Sequence, residues 1–341
     1  MLLQGVIIFT AMRVPKSIKI FLNYFLGPLL FIGLSFSIFQ QIRHQPHLAQ
    51  SWGEIKESFF SYKILYLLLA VILIFVNWGI ETWKWKLLVG SIRPINFFTA
   101  YKAVLSGVSF SVSLPNRIGE YIGRMLYQPE GGRLKTISLA IVGSIAQLLA
   151  TLLWGIAGLI ILRKELLQAY PQFVIWYQFI IYGLLFILLA LIVFYFYVSS
   201  VISFFRPWLR NHHFLYLVEA LQNFNVSFLA KLFFLSSLRY GVFLLQYIVV
   251  FYFFGVQVAA AVIVPVMSVV FLALAVIPSI ALIEVGLRGE VSLRLMGLFS
   301  MNSLGIGLTS VTIWFINLIL PAIIGTLFLW NIKLLSKNEK N

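Results

Sequence analysis

The chain contains no cysteine. That excludes disulfides, thiol nucleophiles and Cys-based metal sites, and leaves the redox compartment open. Charge is scarce as well: Asp, Glu, Lys and Arg make up 10% of the 341 residues, where a soluble domain carries about a quarter. Histidine is limited to His44, His47, His212 and His213. All four lie in polar connections with no carboxylate cluster nearby, so no metal is expected. There is no P-loop, no dinucleotide-binding glycine fingerprint and no zinc-protease helix, and no serine has a matching His and Asp. Neither a cofactor nor a catalytic constellation is expected. Long polar stretches are also missing, which leaves no room for a sizeable soluble domain.

What is present is hydrocarbon. Hydrophobic residues make up 61% of the chain, and phenylalanine alone accounts for 32 positions. Apolar runs of about 20 residues recur along the length, the signature of a polytopic all-α membrane protein. Eight segments stand out: 20–42, 62–83, 97–114, 136–162, 174–198, 232–254, 258–283 and 303–331. The polar stretch 43–61 carries Trp52, Ile55, Phe59 and Phe60 near helical spacing and reads as an interfacial helix, as does 206–231. Residues 1–12 are apolar and precede Arg13, Lys16 and Lys19, the reverse of signal-peptide order, so no cleavable signal is expected; Met12 is an alternative start. The net charge of +15 reads as basic residues flanking spans and meeting anionic headgroups rather than as a nucleic-acid surface. Trp78, Trp83 and Trp85 beside Lys84 and Lys86 read as a membrane–water boundary.

Two segments differ from the rest. The third, 97–114, is short and rich in small residues (Ser106, Gly107, Ser109, Ser111, Ser113) and runs into Pro115; the seventh, 258–283, is broken by Pro265 and Pro278. Short or Pro-interrupted segments at matching points of two halves mark transporter binding sites. If all eight segments cross the bilayer, Lys and Arg divide evenly between its two sides. If segments three and seven turn back to the side they came from, most of the basic residues fall on one side. The positive-inside rule therefore favours six full spans plus two re-entrant hairpins. Three full spans per half is an odd number, so the halves become inverted repeats. The expected division is a cytoplasmic segment 1–19, repeats 20–165 and 166–333, and a cytoplasmic tail 334–341, with the first motif reached from the cytoplasm and the second from the opposite side.

The chemistry concentrates after those prolines. Pro115-Asn116-Arg117-Ile118-Gly119-Glu120 leads to Arg124, and Pro278 is followed by Glu284 and Arg288. Each motif is an apolar run, a proline and then Glu-x-x-x-Arg, a spacing that puts acid and base on one helical face. One reading is a salt bridge that makes an interfacial helix start tolerable. The other is that Arg117, Arg124 and Arg288 bind a phosphate, for which the planar guanidinium fork is suited, while Glu120 and Glu284 orient or release them. Glu290 and Arg294 repeat the spacing. Arg239 lies eight residues beyond Lys231, about 12 Å along a helix; it either snorkels to the headgroups or holds an anionic group on its path. Asn77, Gln147, Gln246 and Asn317 read as interhelical hydrogen-bonding residues, and Gly155 with Gly158 as a helix-packing pair.

The stretch Glu81-Thr82-Trp83-Lys84-Trp85-Lys86-Leu87-Leu88, followed by Leu114–Arg124, resembles the lysylphosphatidylglycerol synthase transmembrane family, also called flippase-like domain proteins. That family ends its second span in an aromatic-basic patch followed by Pro-x-Arg-x-Gly-Glu-x-x-Arg; here the gap from Glu120 to Arg124 is one residue longer. The resemblance spans roughly 20–331. Ser279-Ile280-Ala281 stands where the family is usually glycine-rich, and Gly143–Gln147 is uncharged where the family often carries charge. Members that act as synthases add a soluble aminoacyl-transferase domain, so the resemblance implies the membrane part alone. It implies a multi-pass protein of a bacterial cytoplasmic membrane that moves an anionic phospholipid or polyprenyl-linked headgroup between leaflets. Arg117, Glu120 and Arg124 would gate one side, Glu284 and Arg288 the other, with Arg239 between. A membrane enzyme using Glu120 or Glu284 as general base, and a scaffold for a partner lipid-modifying enzyme, are the alternatives.

Overall fold

The computed structural model describes residues 27–43, 48–113, 118–128, 133–198, 224–277 and 281–338. Within them the chain is built from helices: α1 (Gly27–Arg43), α2 (Leu48–Phe60), α3 (Ile64–Gly90), α4 (Phe97–Ser113), α5 (Ile118–Met125), α6 (Arg133–Ile161), α7 (Arg163–Ala169), α8 (Val174–Phe196), α9 (Val226–Phe253), α10 (Ala260–Val276), α11 (Ala281–Met296), α12 (Ser303–Trp314) and α13 (Leu320–Asn338). A π-helical stretch, Phe315–Ile319, joins the last two. This is an all-α polytopic membrane protein.

Local chemistry sets several boundaries. Asn96, Asn225 and Asn302 each accept a backbone N–H from the first turn that follows them, at 2.7–2.8 Å, as asparagine caps do. Ser91 closes α3 by donating to the Leu88 carbonyl at 2.7 Å. Gly255, just past α9, has φ +73°, a left-handed turn that glycine tolerates best.

Five stretches are long and apolar enough to cross a membrane: Ile64–Gly90, Lys135–Ile161, Pro171–Phe196, Val226–Phe253 and Ser303–Trp330. They coincide with five of the six expected full spans. The sixth, 20–42, begins outside the described residues, and its remainder is α1. The two segments expected to turn back are the two shorter apolar helices, α4 and α10, of 17 residues each. At 1.5 Å per residue each is about 25 Å long, short of the roughly 30 Å hydrocarbon core. Segment seven ends earlier than expected, at Val276, and α11 resumes at Ala281. Pro265 is accommodated inside α10, while Pro115, Asn116, Pro278 and Ser279 lie outside the described residues. So do most of 206–231 and all four histidines. The expected interfacial helix is α2, with Ile55 buried and Phe60 almost fully exposed.

The helix pair α4–α5 is fastened by glycine. Running back along α4, α5 brings Gly119 against the backbone of Phe110 and Ser111, and Gly123 against Gly107. A Cβ at Gly119 would overlap the Phe110 carbonyl carbon. Gly119→Ala is therefore expected to force the pair apart and cost about 1–3 kcal/mol. Gly79→Ala meets open space and should be neutral. Thermal unfolding followed by tryptophan fluorescence in detergent measures both; equal melting temperatures would refute the close approach.

Elsewhere α3 lies along α9, α6 along α10, and α13 along α4. Gly155 and Gly158 let α6 approach Leu272 and the Pro265 carbonyl of α10, as their spacing predicts. Glu290 and Arg294 repeat the motif spacing but fasten helices together. Glu290 accepts from Arg294 at 2.6 Å and from Ser37 and Gln41 of α1 at 2.9 Å. α8 exposes Trp176, Phe179 and Phe186 along an almost wholly apolar surface, as a lipid-facing helix does.

Candidate functional site

Both Glu-x-x-x-Arg motifs form ion pairs. Glu120 sits in the first turn of α5 and meets Arg124 at 3.2 Å; Glu284 sits in the first turn of α11 and meets Arg288 at 2.6 Å. Acids in a first turn are favoured by the helix dipole, and i,i+4 pairing adds to this. That much fits a purely structural reading. The surroundings go further.

Arg124 is nearly fully buried. Its Nη2 is shared between Glu120 and Glu81 of α3, the latter at 2.9 Å. The other Glu81 oxygen binds Lys84 Nζ at 2.8 Å and Arg239 Nη1 at 3.1 Å. One buried carboxylate thus holds three cations from three helices. Arg239 also donates through Nε to Asn77 at 2.7 Å, and Asn77 donates to Asn317 at 3.2 Å. Trp85 lies under the Arg124 guanidinium at 4.9 Å and Trp78 under Arg239 at 5.2 Å, geometry in which an aromatic face stabilises a cation. Arg239 therefore turns into the bundle and does not snorkel. Opposite, Arg288 donates to Tyr247 at 2.9 Å.

Part of this network borders one cavity of about 550 Å³. Glu120, Arg239, Glu284 and Arg288 all line it, with Gln147, Thr151 and Asn317 as further polar groups and Trp78, Tyr240, Phe243 and Phe271 as apolar wall. Leu148, Val276 and Ile277 also border it and are exposed on the outer surface. The Nε of Arg124, the Nε of Arg288 and the Oε1 of Gln147 are buried with no hydrogen-bond partner among the described residues. Among the described residues no group of three or more His, Cys, Asp or Glu side chains converges as a metal site would need.

The structure brings together Glu120, Arg124, Arg239, Glu284 and Arg288. Gly119 serves the hairpin, and Arg117, Pro115 and Pro278 lie outside the described residues. Two readings from the sequence gain detail from the structure. Of the residues read as a membrane–water boundary, Trp78, Lys84 and Trp85 are buried in the charge cluster, while Trp83 is half-exposed and Lys86 lies over its ring on the other face of α3. The helical period separates residues that a list of aromatics and lysines runs together. Asn77 and Asn317 do bond between helices, but Asn317 and Gln147 also face the cavity. Asn317 reaches it from the π-helical turn, a feature frequent at functional sites. Sequence reasoning missed Glu81 as the hub. Its signal was an acid in the middle of an apolar span, one helical turn from Asn77 and from Lys84.

The family described as the lysylphosphatidylglycerol synthase TM region matches residues 24–325, most of the chain. The chain belongs to that family. No curated protein matches it. Membership in the lysylphosphatidylglycerol synthase TM family places the protein's work with membrane lipids, and the match covers both helix pairs and every residue of the cavity. In this chain Glu120, Glu284 and Arg288 of the two Glu-x-x-x-Arg motifs line that cavity.

Proposed function

We propose that the protein is a lipid translocase of a bacterial cytoplasmic membrane, moving a phosphate-bearing anionic lipid headgroup between leaflets. The observation that carries this reading is the shared cavity: Glu120 from the first motif, Glu284 and Arg288 from the second, and Arg239 from a membrane span line one space. Its volume lies within the range of small-molecule sites, roughly 300–1,000 Å³, and suits a headgroup. Apolar residues exposed on the outer surface border it, which leaves a route for acyl or polyprenyl chains to stay in the bilayer. Guanidiniums recognise phosphate oxygens in pairs. Two helix pairs at corresponding points of the sequence, each too short to span, fit an inverted-repeat carrier that exposes the cavity to one side and then the other. Arg117 would join Arg124 on the first side. A partner enzyme that makes or consumes the lipid would act beside it.

The test is reconstitution in vesicles with fluorescent phosphatidylglycerol and phosphatidylcholine, reading the loss of outer-leaflet dye to a membrane-impermeant quencher. Protein-dependent acceleration for phosphatidylglycerol above phosphatidylcholine is expected. No acceleration for any phosphate lipid sinks the reading. A chemically altered lipid would replace it with a membrane enzyme in which Glu120 or Glu284 acts as base.

A further inference from the structure

Both motif arginines already hold a carboxylate, although the Nε of each is buried without a partner among the described residues. Arg124 Nη2 is divided between Glu81 and Glu120, and Arg288 between Glu284 and Tyr247. A phosphate oxygen that takes Arg124 Nη2 therefore replaces a carboxylate oxygen. Glu81 is the harder one to displace: it has three cationic partners at 2.8–3.1 Å and a side chain 5% exposed. Glu284 is held at 2.6 Å by Arg288. Glu120 has the longest bond, 3.2 Å, to a nitrogen it shares, and its side chain is 21% exposed on the cavity wall.

We propose that each lipid phosphate bound in this cavity is bound together with one proton, carried on Glu120, so that the protein moves lipid and proton in the same direction. The inference rests on the translocase reading. A displaced carboxylate beside a phosphate, in a space walled by Trp78, Tyr240, Phe243 and Phe271, is a like-charge pair in a poorly solvating environment, and one member takes up a proton. A protonated Glu120 then becomes a donor to the phosphate. In the empty protein Glu120 neutralises part of the Arg124 charge; in the loaded protein the phosphate does so. Both forms thus avoid leaving that guanidinium uncompensated inside the membrane, where a lone charge is costly. Arg124 pairs with Glu120 on its own helix; Arg239 and Tyr240 from α9, Glu284 and Arg288 from α11, Ser111 from α4 and Gln147 from α6 line the same cavity, and Glu81 and Lys84 of α3 are reached through Arg124.

Linkage fixes the sign. If binding takes up a proton, lower pH tightens binding, by at most about tenfold per pH unit for one proton. The experiment is calorimetric titration of the purified chain with dihexanoyl-phosphatidylglycerol, and separately with inorganic phosphate, between pH 5.5 and 8. Buffers of different ionisation enthalpy count the protons. Lipid binding with about one proton taken up is expected. Glu120→Gln should bind without proton uptake and with a flat pH dependence, and Glu57→Gln, on the exposed face of α2 away from the cavity, should keep the wild-type uptake and slope. Lipid binding without proton uptake in the wild-type chain overturns the coupling and leaves the translocase reading standing. An unchanged pH slope in Glu120→Gln moves the proton elsewhere and overturns the assignment. Binding of inorganic phosphate alone, or of neither probe, overturns the lipid site itself.

Discussion

Replacing Glu81 with alanine is expected to destabilise the folded protein by about 3–5 kcal/mol, the range for removing one partner of a buried ion pair. Lys84, Arg124 and Arg239 would lose their shared anion while remaining buried or nearly so. Three like charges from α3, α5 and α9 would then face one another with the longer Glu120–Arg124 pair left to offset them, and the repulsion is strong because the surroundings are apolar. The readout is the tryptophan fluorescence melting curve of detergent-purified protein, which nine tryptophans make sensitive. Glu81→Gln should be intermediate, because it keeps the hydrogen-bond acceptor and loses the charge. Lys84→Met should be milder than Glu81→Ala, since Glu81 keeps both arginines. A cycle combining Glu81→Gln with Lys84→Met isolates the coupling between them. Equal melting temperatures for Glu81→Ala and wild type would show that the cluster is not the hub of the bundle.

The second large effect is on transport. Arg124→Ala and Arg288→Ala are each expected to lower phosphatidylglycerol translocation by about 30-fold or more, the equivalent of the roughly 2 kcal/mol or greater lost when one partner of a buried hydrogen-bonded charge pair is truncated. Protein levels should hold. Arg124→Ala leaves Glu81 with Lys84 and Arg239, and Arg288→Ala leaves Glu284 at a cavity edge where it is partly exposed. Lysine at either position should restore only part of the rate, because a point charge does not reproduce the guanidinium fork. Wild-type rates in both alanine variants would remove the two motifs from the site. Loss in one alone would confine the headgroup to that half of the cavity.

Glu81→Ala and Arg288→Ala separate two roles that the sequence shows as one kind of residue, a charge within or beside an apolar segment. Both are costly to bury, and their positions alone flag them. Whether a charge organises the bundle or faces its cavity depends on which neighbours reach it. The Glu-x-x-x-Arg spacing was legible because a helix places residues four apart on one face wherever the helix goes. The same spacing at Glu290 and Arg294 led elsewhere, to Ser37 and Gln41 of α1, and nothing local distinguishes that pair from the other two.

Composition and periodicity by themselves determined that this chain is an all-α membrane protein, since runs of hydrocarbon that long leave the backbone no partner but itself. They also singled out segments three and seven, by small residues, prolines and the balance of basic residues; that the seventh stops at Val276 came from the structure. The motif residues and the family resemblance were readable along the chain for the same local reason. Only the tertiary structure decided that Glu120, Arg239, Glu284 and Arg288 share one space, that Glu81 gathers three cations, and that Lys84, Trp78 and Trp85 turn inward while Lys86 and Trp83 turn out. Those facts are contacts between residues up to about two hundred positions apart. They are set by how glycine faces such as Gly107, Gly119 and Gly123 let helices approach, and close packing of that kind is a property of the assembled bundle.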